Sequence, residues 1–180
     1  MKKLTVLIIL LLSFAAVAAA QGPPGLEKKT PPVNSSITVK IAGLGCTTAA
    51  GSNTFNASSY SFGATQSAST GTGGGGGAGK ATINPLHASK SFDECSPALF
   101  GSVVTGEHIQ TVDLVHQDDK GNTILTITLT DALITSYQIG GSQSSDTPQE
   151  TISIDFKKIC IAQPNSGNKL CFDRETNKIN

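Results

Sequence analysis

The run TGTGGGGGAGKAT, Thr70 to Thr82, contains Gly74-x-x-x-x-Gly79-Lys80, the spacing of a loop that wraps phosphate in backbone amides. The chemistry fails one residue later. Ala81 stands where a magnesium-binding hydroxyl belongs. A phosphate loop also needs a helix directly after its lysine, because the helix N-terminus supplies free amides and positive dipole. Here Thr82 and Ile83 favour strand, and Pro85 would interrupt a helical turn. The nucleotide reading is rejected. Gly73, Gly74, Gly75, Gly76, Gly77, Gly79 and Lys80 then form either a flexible linker or an arm that reaches a neighbouring molecule. Glycine suits the second role because it lets one backbone lie close against another.

Other reactive side chains do not assemble into a site. His108 and His116 are eight residues apart, about 25 Å along an extended strand and too far for one metal ion. His87 stands alone. No serine lies in G-x-S-x-G. The adjacent acids Asp93-Glu94 and Asp118-Asp119 read as solvated turn residues or caps. No catalytic residue, metal ligand or cofactor is assigned.

Four cysteines, Cys46, Cys95, Cys160 and Cys171, allow three pairings. CIAQPNSGNKLC is a short loop around a Pro-Asn-Ser-Gly turn, which favours Cys160–Cys171 and leaves Cys46–Cys95. The spacing has no C-x-x-C to suggest zinc. Disulfides fit the start of the chain. Lys2 and Lys3 precede an apolar run from Leu4 to about Val17, then Ala18-Ala19-Ala20, the pattern of a secretory signal peptide cleaved near Ala20. The mature part is expected to have no membrane span and a secreted or periplasmic location. Removing Lys2 and Lys3 takes the bases from 13 to 11 against 13 acids, so the net charge is 11 − 13 = −2. That gives no electrostatic reason to bind nucleic acid. With 14% charged residues, the surface suits neutral packing against copies of itself.

These residues need positioning elements. Residues 21–35 are a Pro-rich extended tether. Ile37, Val39 and Ile41 alternate as a half-buried strand, as do Tyr60, Phe62 and Ala64. KATINPLHASK reads as an irregular or edge strand because of Pro85. Ser96 as N-cap, Pro97 and Gly106 bound the single short helix. Leu125, Ile127 and Leu129 oppose Thr126, Thr128 and Thr130 in a long strand. Ile152, Ile154 and Phe156 begin another, whose phase slips at Lys157-Lys158 as a bulge would cause. The fold class is mainly β: a small antiparallel β-barrel or sandwich of about six strands, with one short helix and a long Gly-rich hairpin arm. The domain is bounded at 36–163, with 164–180 as a C-terminal hairpin or tail.

The stretch SYSFGATQSASTGTGGGGGAGKATINPLHASKSFDECSPALF resembles the haemolysin-coregulated protein (Hcp) family, the inner-tube protein of type VI secretion. The shared features are Tyr60 and Phe62 in a strand, Gly63-Ala64 and Gln66-Ser67, the glycine arm ending at Lys80, Lys90, and Ser96-Pro97 opening a helix. LTITLTDALITSYQIGGSQSSDTPQETISIDF is similar to the family's two long strands and their Gly-Gly-Ser turn. The resemblance implies a homo-hexameric ring, ring stacking into tubes, and an arm that packs on an adjacent subunit. It also implies effector cargo and spike or sheath partners. The family is normally cytoplasmic without a leader, so this chain reads as an exported, ring- or filament-forming relative. The runner-up readings are a conventional secretion tube and a secreted monomeric binding module such as an adhesin or glycan binder.

Overall fold

The computed structural model describes residues 35–68 and 78–179. In chain order these residues form β1 (Ser36–Ile41), β2 (Thr47–Thr48), β3 (Gly51–Ser52), β4 (Thr54–Asn56), β5 (Ser59–Ser61) and β6 (Ala64–Ala68). There follow β7 (Ala78–Ile83), β8 (Leu86–Ser91), α1 (Ser96–Thr105), β9 (His108–Gln117), β10 (Thr123–Gly140) and β11 (Gln149–Gln163). β12 (Asn168–Asp173) and β13 (Lys178–Ile179) complete them.

The mainly β fold, with one short α-helix among the described residues, agrees with the sequence. Nine of the described strands make the main sheet, in the order β13-β12-β11-β10-β9-β1-β4, with β8 between β11 and β5. The strand count exceeds six because the segment holding Tyr60, Phe62 and Ala64 is divided between β5 and β6 and KATINPLHASK between β7 and β8, β12 lies in the predicted tail, and β2, β3, β4 and β13 are too short to show alternation. The ladder is not closed into a continuous barrel. Thr54–Ser61 is divided between two partners: the Ala57 amide donates to the Ile37 carbonyl and the Ser58 amide to the Ser89 carbonyl, both at 2.8 Å. Pro85 lies between β7 and β8 rather than within a strand. That placement frees β8 to pair on both sides, so it is a central strand and not the edge the sequence suggests.

One core runs through the domain. Val39, Phe55, Leu86, Leu99, Leu114, Ile127, Leu129, Ile152 and Ile154 are fully buried in it. α1 ends at Gly106, whose φ of 65° is the left-handed cap glycine accepts at no steric cost. Its N-cap is Cys95 and not Ser96. Ser96 lies inside the first turn because its hydroxyl is engaged by buried groups described below.

Three neighbouring strands change phase along one line. Buried positions pass from Ile109 to Val112 in β9, from Leu129 to Ala132 in β10, and from Phe156 to Ile159 in β11. The register pairs on either side, Thr130 with Thr111 and Lys158, Ala132 with Ile109 and Phe156, show no shift. Gln110, Asp131 and Lys157 therefore drop out of the strand pairing together, and the sheet creases there while its register survives. The slip at Lys157-Lys158 is real, but its cause is this shared crease and not a bulge in β11. Register shifts among these strands lie elsewhere, between Ile134 and Ser136 and between Thr123 and Leu125 of β10. Creases of this kind let a strand turn a corner while keeping its apolar side inward. Asp131 carries the crease with φ of 56°. Aspartate tolerates that region and a β-branched residue does not. Asp131→Val is expected to cost about 1–2 kcal/mol, while Asp131→Gly stays near the parent, read by thermal denaturation.

Candidate functional site

The residues on either side of the predicted arm form a separate two-stranded antiparallel pair, β6 with β7. Ala64 pairs with Ile83 and Gln66 with Ala81. Gly73 to Gly77 lie outside the described residues. Gly79 and Lys80 belong to β7, so a strand and not a helix surrounds Lys80, and no phosphate-loop geometry is present there. Lys80 is exposed and makes no ion pair among the described residues. It lines a cleft of about 490 Å³ with Asp155, Lys157, Arg174 and Glu175. The other charges in that cleft are matched, Arg174 with Asp155 and Lys157 with Glu175.

Beside the arm root, the outward side of β5, β8, β11 and β10 carries no formal charge over several rows. Ser61, His87, Ser153 and Ser136 stand in one row, and Ser59, Ser89, Thr151 and Gln138 in the next. These groups bond to one another: His87 Nδ1 with Ser153 Oγ at 2.8 Å, and Ser89 Oγ with Thr151 Oγ1 at 3.3 Å. Short side chains lose little rotamer freedom when covered. Such a face can pack against another polypeptide without stranding a charge. The low charged fraction of 14% pointed to this property in the sequence, but only strand pairing collects the residues.

The inward side of the same strands holds a polar group that sequence reading missed. Lys90 is 0% exposed and Glu150 1%. Lys90 Nζ donates to Glu150 Oε2 and Asp93 Oδ1, each at 2.8 Å, and to Ser96 Oγ at 3.0 Å. Its three N–H donors are thus all satisfied. Ser96 Oγ donates to Glu150 Oε2 at 2.9 Å, and the Asp93 amide donates to Ser96 Oγ at 2.9 Å. The Phe55 ring lies 5.4 Å from the ammonium. A signal was available: Lys90 shares its phase with Leu86 and Ala88, and Glu150 with Ile152 and Ile154. This cluster ties β8 and β11 to the start of α1.

Tyr137 donates its hydroxyl to Glu150 Oε1 from β10. Burial first, then the bond to Glu150 and its charge, push the phenol well above its ordinary value of 10.0. The unfolded chain ionises near that ordinary value, so the associated stability is complete below it and is lost as pH rises toward the folded value. Tyr137→Phe is expected to flatten the fall in melting temperature as pH rises above about 10.

Cys46 stands against Cys95 and Cys160 against Cys171, each pair at disulfide distance with Cα separations of 5.1 and 4.0 Å. The first joins the loop after β1 to the N-cap of α1. The second spans directly paired positions of β11 and β12. The histidines are dispersed: His108 Nδ1 meets Asp131 at 2.9 Å and His116 Nδ1 meets the Tyr60 hydroxyl at 3.2 Å. Among the described residues no group of three or more His, Cys, Asp or Glu is placed to hold a metal ion. No described helix is long and apolar enough to cross a membrane.

A neutral sheet face, a separate two-stranded pair and a helix tied to the sheet by a buried ion-pair cluster define a β-rich domain. Residues 35–162 match the family model described as type VI secretion system effector, Hcp, and the chain belongs to that family. Its fold is similar to the crystal structure of Hcp1 from Salmonella typhimurium, at 22% identity over 82% of this chain and 99% of that one, with a TM-score of 0.69. It is also similar to a type VI secretion system effector from Yersinia pestis, at 23% identity over 76% and 98%, with a TM-score of 0.63. No curated protein matches the chain.

Proposed function

We propose that this chain is a self-assembling structural protein whose subunits close into hexameric rings that stack into tubes or filaments outside the cytoplasm. The match of residues 35–162 to the Hcp family is the observation that carries this reading. The low-charge face and the hairpin arm support it physically. A head-to-tail contact between unlike surfaces closes when its rotation divides a full turn, and the resulting ring has two different faces for stacking. The arm, with Gly73 to Gly77, Gly79 and Lys80, is the element that reaches the adjacent subunit. No catalytic step is part of this role.

Export rests on the leader ending near Ala20 and on the two cysteine pairs, which favour an oxidising compartment. A conventional tube, with effector cargo and spike or sheath partners, is the second reading, favoured by the likeness to proteins of type VI secretion. Light scattering on the purified protein tests assembly: about six times the monomer mass is expected, and a monomer at every concentration contradicts it. Lys80→Ala is expected to raise the concentration at which rings form, with the same melting temperature.

A further inference from the structure

Among the described residues, apolar side chains are left exposed at both ends of β10, the longest described strand, in two features that differ in shape. At its C-terminal end is a ridge. Phe100 and Val104 are one turn apart on α1 and 55% and 68% exposed. The Phe100 ring meets Tyr137 at 5.8 Å, and Ile139 lies on the same side of β10 as Tyr137 and is also exposed. At the N-terminal end is a groove of about 670 Å³. Ile124, Leu125, Ile161 and Leu170 line it, with Leu170 49% exposed. Its far wall is the β11–β12 pair, where Ile161 stands opposite Leu170 beside the Cys160–Cys171 pair.

The charges around the two features are opposite. Among the described residues, Lys169 is the single ionisable one lining the groove, and it is exposed. Glu94 and Glu107 flank α1, both exposed and without an ion pair among the described residues. Lys90, at the start of the helix, is buried and already neutralised. A ridge flanked by acids and a groove carrying a base cannot meet within one chain when β10 separates them. They can meet between two copies.

We propose that the α1 ridge of one subunit seats in the Ile124–Leu170 groove of a second copy of this chain, with Glu94 or Glu107 facing Lys169. This rests on the assembly reading above and names the surfaces that make its head-to-tail contact. The contact is heterologous: after it forms, one copy keeps a free groove and the other a free ridge, so the contact propagates from copy to copy until a ring closes. The buried Lys90–Glu150 cluster serves it by fixing the start of the helix that carries the ridge.

The test uses the full chain. Phe100→Asp and Leu170→Asp each change an exposed side chain, so the melting temperature stays near the parent. Each is expected to raise the concentration required for assembly at least about tenfold, as an uncompensated buried charge does. Val104→Cys and Leu170→Cys variants, mixed and oxidised, are expected to give an intermolecular cross-link that neither gives alone. Glu94→Lys is expected to weaken assembly and Lys169→Glu in the same chain to restore it. Parent assembly with no mixed cross-link and no effect of either aspartate overturns the ridge-and-groove pairing and leaves the assembly reading standing. A parent that never assembles overturns both.

Discussion

Replacing Glu150 with alanine is expected to lower the unfolding free energy by about 3–5 kcal/mol, among the largest single losses this domain can show. The size follows from what is left behind. Lys90 remains wholly enclosed, with one of its two carboxylate partners gone and Ser96 and Tyr137 deprived of their shared acceptor. Asp93 still holds the ammonium, but from a partly exposed position with weaker effect. Breaking one member of a buried pair costs more than the pair is worth, because the survivor keeps its desolvation penalty. The combined replacement Lys90→Met with Glu150→Leu is therefore expected to recover a large part of the loss. Urea unfolding followed by circular dichroism measures both, with an unchanged slope indicating the same compact states. A Glu150→Ala protein within about 1 kcal/mol of the parent would show the cluster to be hydrated and unimportant for stability.

Removing the Cys46–Cys95 link is the second large effect. Its partners are 49 residues apart, against 11 for Cys160–Cys171. Chain entropy alone assigns about 4 kcal/mol to the first loop and about 3 kcal/mol to the second. The first also holds the N-cap of α1 against the loop after β1, next to the buried cluster, so its loss loosens the helix that the cluster anchors. The second ties two strands already paired by backbone bonds. Cys46→Ala with Cys95→Ala is accordingly expected to lower the denaturation midpoint further than Cys160→Ala with Cys171→Ala. Thiol labelling supplies the control. No labelled thiol is expected in the native protein, and four labelled thiols would remove the basis for both numbers and for the export reading.

Much of the fold was legible because it rests on local periodicity. Val39 and Ile41, Ile127 and Leu129, and Ile152 and Ile154 alternate as strands do and are buried as alternation requires. Pro97 and Gly106 bracket the helix for steric reasons that a sequence displays directly. What escaped depends on pairing across long separations. Lys90 and Glu150 are 60 residues apart, and a charged residue in core phase reads as an error in the pattern until its partner is found. The crease needs Gln110, Asp131 and Lys157 to align, which no single strand reveals. The uncharged face depends on the pairing of β5, β8, β11 and β10, and the ridge and groove on tertiary placement of Phe100 and Leu170. The capping role given to Ser96 failed because its hydroxyl serves Glu150 instead.

Electron microscopy of the purified, oxidised protein is the most direct test of self-assembly. Rings with sixfold symmetry are expected, joined face to face into short stacks as concentration rises, and absent in the Phe100→Asp protein. Fields of isolated single subunits at the highest soluble concentration, from a folded parent with both cysteine pairs bonded, would contradict the account.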